Sequence, residues 1–116
     1  MKAEKDIINA ILLGASERGH RLFRQNTGKG WVGKVVGGVG ADRVTLREPR
    51  PLVAGLCVGS SDIIGYTSTG QFVAIEVKTP GVRVTPEQKA FLDAARAKGC
   101  ITGVVYSADE AMKLLP

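Results

Sequence analysis

The sequence predicts an α/β fold, a mixed central β-sheet flanked by helices, and three features point to it. An amphipathic helix opens the chain. Two apolar strand-like runs, 62–67 and 72–78, flank a Ser68-Thr69-Gly70 turn and form a hairpin. The strand-helix-strand stretch 72–106 then has the length of a parallel crossover unit.

Each element has its own signal. In residues 3–18 Glu4, Ile7, Ile8, Ile11, Leu12 and Ala15 recur at helical spacing, and Gly19 stops the helix. Arg21 to Asn26 reads as a strand. Gly28 to Gly40 is glycine-rich and reads as a loop or irregular hairpin. Arg43 to Arg47 is a strand closed by Pro49-Arg50-Pro51. The hairpin follows, ended by Pro80-Gly81. Thr85-Pro86-Glu87-Gln88 is a capping box with proline at the first helical position, and its helix runs to Lys98 with Gly99 beyond it. Ile101 to Tyr106 is an apolar strand. Ser107-Ala108-Asp109-Glu110 is a second capping box that opens a short last helix.

A chain of 116 residues is read as one domain, 1–116, with one modest core. No apolar run approaches the roughly 20 residues of a membrane span, so no membrane partner is expected. Met1-Lys2-Ala3-Glu4-Lys5-Asp6 is not a signal peptide, since acids interrupt its basic region. Cys57 and Cys100 match no metal spacing and read as reduced thiols of the cytoplasm.

Charge is concentrated. Residues 18–50 hold eight basic side chains against Asp42 and Glu48, a net +6, while the whole chain is +5. That suits a polyanionic substrate. A single histidine, His20, leaves histidine-ligated zinc and Ser-His-Asp chemistry without their parts. It reads as a loop or helix-end residue with no catalytic role. Gly28-Lys-Gly-Trp-Val-Gly33 matches a dinucleotide fingerprint, but no helix follows it. Val35 stands where a P-loop needs a hydroxyl, so no nucleotide cofactor is expected. A basic glycine-rich loop carrying Lys29 and Lys34 is better suited to lie on phosphates.

Asp62 and Glu76 carry the chemistry. In a hairpin turning at Ser68-Thr69-Gly70, Asp62 falls opposite Glu76, and Glu76 shares a face with Lys78. The flanking Ile63, Ile64, Val73, Ile75 and Val77 make both strands central. A carboxylate there is costly unless paired or bound to a cation. Two carboxylates and an ammonium at one point suit a divalent metal with a lysine beside its water. Gln88 and Glu4 have simpler readings, one as the capping-box residue, the other as an acid at a helix start.

Acid, spacer and Glu-x-Lys on a hairpin, then a helix bearing a glutamine, resembles the PD-(D/E)xK nuclease superfamily. Within it the chain resembles the VRR-NUC family, the virus-type replication-repair nucleases. The residues are Gly59-Ser60-Ser61-Asp62-Ile63-Ile64-Gly65, Gly70 to Lys78, Thr85-Pro86-Glu87-Gln88, Phe91-Leu92 and Gly99. The Glu4 helix and Arg24-Gln25-Asn26-Thr27-Gly28 resemble its amino-terminal part. Ser61 replaces the proline before Asp62.

The resemblance implies a restriction-endonuclease-like fold and a Mg²⁺- or Mn²⁺-dependent DNA endonuclease. By it, Asp62, Glu76 and the Val77 main-chain carbonyl ligate the metal, and Glu4 reaches it from the first helix, with Glu17 a substitute off the apolar stripe. Lys78 activates the water and stabilises the developing charge. Gln88 orients the water or contacts Lys78. Arg24, Asn26, Lys29, Lys34, Ser60 and Ser61 contact DNA. The implied substrate is branched DNA such as a four-way junction, cut by a homodimer in a bacterial or phage-infected cytoplasm. The alternatives are a nuclease on flap or linear DNA, or a non-catalytic DNA-binding module that keeps the fold.

Overall fold

The computed structural model describes residues 3–26, 28–38, 40 and 42–116. Thr27 and Val39, in segments read above, lie outside the described residues. Helix α1 (Glu4–Glu17) comes first, then strands β1 (Arg21–Arg24), β2 (Gly28–Gly37), β3 (Thr45–Ala54), β4 (Ile63–Tyr66) and β5 (Phe72–Val77). Helix α2 (Pro86–Ala97), strand β6 (Ile101–Val105) and helix α3 (Ala108–Leu114) complete the chain.

The central sheet has the order β1-β4-β5-β6. β1 and β5 run antiparallel to β4, and β6 runs parallel to β5 through the α2 crossover. The expected mixed sheet is therefore present. Its core lies on one face. There Ile7, Ile8, Ile11 and Ala15 of α1 pack with Ile63, Val73, Ile75, Val77 and Val105, and with Ala111 and Leu115 at the end of the chain. Side chains alternate along a strand, so Ala74 and Glu76 point to the other face. Helix α2 packs on β5 and β6, with Leu92 buried.

The helix ends follow their sequence signals. Thr85 Oγ1 accepts from Gln88 N–H while Gln88 Oε1 accepts from Thr85 N–H, a complete capping box. At α3 only half the expected box forms. Ser107 Oγ accepts from Glu110 N–H, but the Glu110 carboxylate takes Tyr106 N–H instead of Ser107 N–H. His20 follows α1 and is buried. One ring nitrogen meets Ser68 N–H and the other meets the Pro116 main-chain oxygen at 2.7 Å, so its part is structural.

The stretch 28–54 departs from expectation. It is neither a loop or irregular hairpin within 28–40 nor a strand stopped at Pro49-Arg50-Pro51. β2 and β3 form a two-stranded antiparallel ribbon that runs through both prolines. Every strand of such a ribbon is an edge, so a missing N–H can face solvent without breaking a ladder. Pro49 sits at a bulge where Gly33 opposes Glu48 and Pro49, with Glu48 at φ 49°. A second bulge leaves Val36 extra on β2. The ribbon packs on itself and little else. The radius of gyration is 16.7 Å, against roughly 13 Å for a compact chain of this length, because the ribbon projects. No helix among the described residues is long and apolar enough to cross a membrane.

Two glycines set close approaches that shape the site. At Gly59 (φ 85°) a Cβ would meet the Glu87 backbone where the loop touches the start of α2. At Gly65 a Cβ would fall on the Arg21 carbonyl oxygen and the Leu22 Cα. Backbone cannot yield as a flexible side chain can. Gly65→Ala should therefore lower unfolding stability by about 1–3 kcal/mol, measured by urea denaturation. A loss below a few tenths would show that β1 moves aside freely.

Candidate active site

The hairpin register builds the site. Ile63 pairs with Ile75, so the next step places Asp62 opposite Glu76. β4 ends at Ile63, and the Asp62 carboxylate takes over the lost ladder bond. Val77 N–H donates to Asp62 Oδ2 at 2.9 Å. The N–H and C=O of one strand residue point to the same edge. The Val77 carbonyl thus lies on the Asp62 edge, as the ligand reading requires.

Glu76 is 2 % exposed. Its Oε1 receives Gln88 Nε2 at 3.3 Å and lies 3.5 Å from Lys78 Nζ. Its Oε2 is buried and has no hydrogen-bond partner. Burial pushes the Glu76 carboxyl up to about 8. Asp62 pushes the same way, by its hydrogen-bonding proximity and its charge, and Lys78 offsets part of the rise. An orphaned acceptor beside a second carboxylate is an unfavourable arrangement without a cation. Among the described residues no three or more His, Cys, Asp or Glu side chains gather as a metal cluster. Two carboxylates still suffice for magnesium, which keeps several waters and takes further oxygens from substrate phosphates. The residues present fit a hard divalent cation.

Gln88 serves both of its readings at once. Its oxygen closes the capping box while its nitrogen reaches Glu76. The partner is Glu76 rather than Lys78, because the capping box directs the amide from the first turn of α2 toward β5.

Other expected residues stand elsewhere. Glu4 is exposed in the first turn of α1. Its helix covers the face of Val73, Ile75 and Val77, whereas Glu76 points to the opposite face, so Glu4 joins no three-carboxylate group. Glu17, at the far end of α1, is exposed too. Ser60 and Ser61 are 4 % and 0 % exposed. Ser60 Oγ donates to the Cys57 carbonyl and Ser61 Oγ to the Ile63 carbonyl, so both shape the turn into β4 and offer no side chain to DNA. Arg24, Asn26, Lys29 and Lys34 are exposed.

Gln25 emerges only in three dimensions. Its N–H donates to the Asp62 carbonyl at 2.6 Å and its Nε2 to the Ser61 carbonyl at 2.7 Å, while its Oε1 accepts from Leu56 N–H. One side chain thus ties both ends of the ribbon to the segment that carries Asp62. Nothing in the periodicity marks it, since a lone glutamine after a four-residue strand has no pattern of its own.

The raised Glu76 pKa has a stability consequence. The folded state holds this proton more tightly than the unfolded state. The stabilising contribution is complete below about 4.5 and is lost as pH rises through about 8. Without metal, the melting temperature should fall between pH 6 and 9 by several degrees more in the parent protein than in Glu76→Gln. Parallel curves for the two proteins would remove Glu76 as the titrating group.

Residues 51–109, just over half of the chain, match the sequence model of the VRR-NUC domain. The match contains Asp62, Glu76, Lys78 and Gln88 and excludes α1 and β2. No match is found among curated proteins. The hairpin register, the grouping of Asp62 and Lys78 around the buried Glu76 and this match agree, and the chain belongs to the VRR-NUC family of nucleases.

Proposed function

We propose that the protein is a metal-dependent endonuclease that cuts branched DNA, with Asp62, Glu76 and the Val77 carbonyl holding Mg²⁺ or Mn²⁺. The observation that carries this reading is the buried, unpartnered Glu76 Oε2 beside Asp62. A divalent cation bound there supplies Lewis acidity to the scissile phosphate and lowers the pKa of the attacking water. The protein's groups do the rest. Lys78 is 11 % exposed at its side chain, so its ammonium acts in a partly dry site, where charge stabilisation is strongest. In this reading it holds the attacking water and stabilises negative charge on the phosphorane oxygens. Gln88 fixes the Glu76 carboxylate from α2, and Val77 N–H fixes that of Asp62, so neither need reorganise as charge develops.

Four-way junctions are the substrate this reading favours. Two strands are then cut by two copies of the chain, since symmetric incision needs two sites. An apolar face on the ribbon supports a second copy, with Trp31, Val35 and Val53 each more than half exposed.

Cleavage of a labelled junction tests the reading, with flap, linear and single-stranded controls, with and without Mg²⁺ or Mn²⁺. Asp62→Ala and Glu76→Ala should abolish cutting, and Lys78→Ala should slow it by about 10²–10³-fold. Paired symmetric cuts, together with a dimer mass by light scattering, are expected. Cutting of flaps or linear DNA alone would keep the nuclease and discard junction selectivity. Full activity without metal, or with alanine at Glu76, would sink the mechanism, and binding without cutting would favour a non-catalytic module.

A further inference from the structure

The two faces of the β2–β3 ribbon differ. Cross-strand pairs Lys29–Val53, Trp31–Pro51 and Val35–Leu46 lie on one face, which is apolar apart from Lys29. Gly30–Leu52, Val32–Arg50 and Lys34–Arg47 lie on the other. On that second face a shallow concavity is lined by Lys34, Arg47, Arg50 and the bulged Glu48. Lys34 and Arg47 stand directly opposite each other. Like charges so placed destabilise a strand pair. Among the described residues none of the three cations lies within salt-bridge distance of a carboxylate. All three are exposed. Opposed, unpaired cations make this face, unlike the apolar one behind it, unsuited to contact with a second copy and suited to a polyanion.

Position favours DNA as that polyanion. Gln25 ties the ribbon root to Ser61 and Asp62. Gly28 and Lys29 line one groove with Ser60, Thr85 and Gln88. Strands of ten residues reach about 33 Å, close to one duplex turn of roughly 34 Å.

We propose that Lys34, Arg47 and Arg50 form a phosphate-backbone binding face for duplex DNA, separate from the Asp62–Glu76 site; this rests on the nuclease reading above. The face is sequence-independent, because it offers flexible cations to phosphates. It holds a duplex arm while the neighbouring backbone lies in the cleft.

The test is fluorescence anisotropy of a labelled duplex arm and a junction with the full chain in EDTA, titrated across salt. Lys34→Gln/Arg47→Gln/Arg50→Gln should weaken binding tenfold or more near 100 mM salt and lower the magnitude of the log–log salt slope by about 2–3. Lys5→Gln/Lys98→Gln/Lys113→Gln removes the same charge elsewhere and should leave the slope nearly unchanged. Arg47→Lys/Arg50→Lys should retain it. A parent slope in the ribbon variant, an equal fall in the control, or no DNA binding by the parent protein would overturn the proposal. Cleavage with Mg²⁺ is scored separately. Normal cutting with an unchanged slope in the ribbon variant defeats the binding face alone, and ribbon-dependent binding without any cutting by the parent defeats the nuclease reading alone.

Discussion

The structure depends on one buried carboxylate. Glu76 lies in β5, an inner strand with an antiparallel partner, β4, on one side and a parallel partner, β6, on the other. Placing an acid there opposes the hydrophobic drive that makes the strand central. The surroundings answer it incompletely. Lys78 and Gln88 approach Oε1, Asp62 adds more negative charge, and Oε2 is left without a partner. A packed core with an acid half-answered in its middle strand is a fold that gives up stability for a site.

The rest of the architecture serves that placement. α1 covers one face of β5 with Ile7, Ile8 and Ile11 against the odd-numbered residues, which leaves Ala74 and Glu76 on the opposite face. α2 covers the other face and brings Gln88 to Glu76 from a capping box, which gives that side chain a rigid base. The close contacts at Gly59 and Gly65 bring the loop against α2 and β1 against β4. Gln25 then links the compact body to the ribbon. The body holds the Asp62, Glu76 and Lys78 group, and the ribbon carries exposed cations on one face and apolar side chains on the other.

Much of this was legible in the sequence. The apolar runs 62–67 and 72–78 and the Ser68-Thr69-Gly70 turn between them point to the hairpin register that sets Asp62 against Glu76. Thr85, Pro86 and Gln88 announce the start of α2, and Gly19 and Gly99 mark helix ends with φ 84° and 86°. These are local signals, carried by backbone preferences within a few residues. The ribbon was misread where proline chemistry depends on context. Pro49 and Pro51 end a central strand but are tolerated in a two-stranded one, and no local pattern says which kind of strand is present.

The three helices, the complete cap of α2, the β4–β5 hairpin and the approach of Asp62, Glu76 and Lys78 follow from short-range patterning and turn chemistry. Only the tertiary structure decided which acids and polar groups share a face. It set Glu4 in solvent at the start of a helix that covers the other side of the sheet, turned Ser60 and Ser61 inward, aimed Gln88 at Glu76 and made Gln25 the clamp of the ribbon. The Gln25–Ser61 and Gln88–Glu76 contacts join residues 36 and 12 positions apart, and all of these placements exist only after packing has chosen which face of each element is buried.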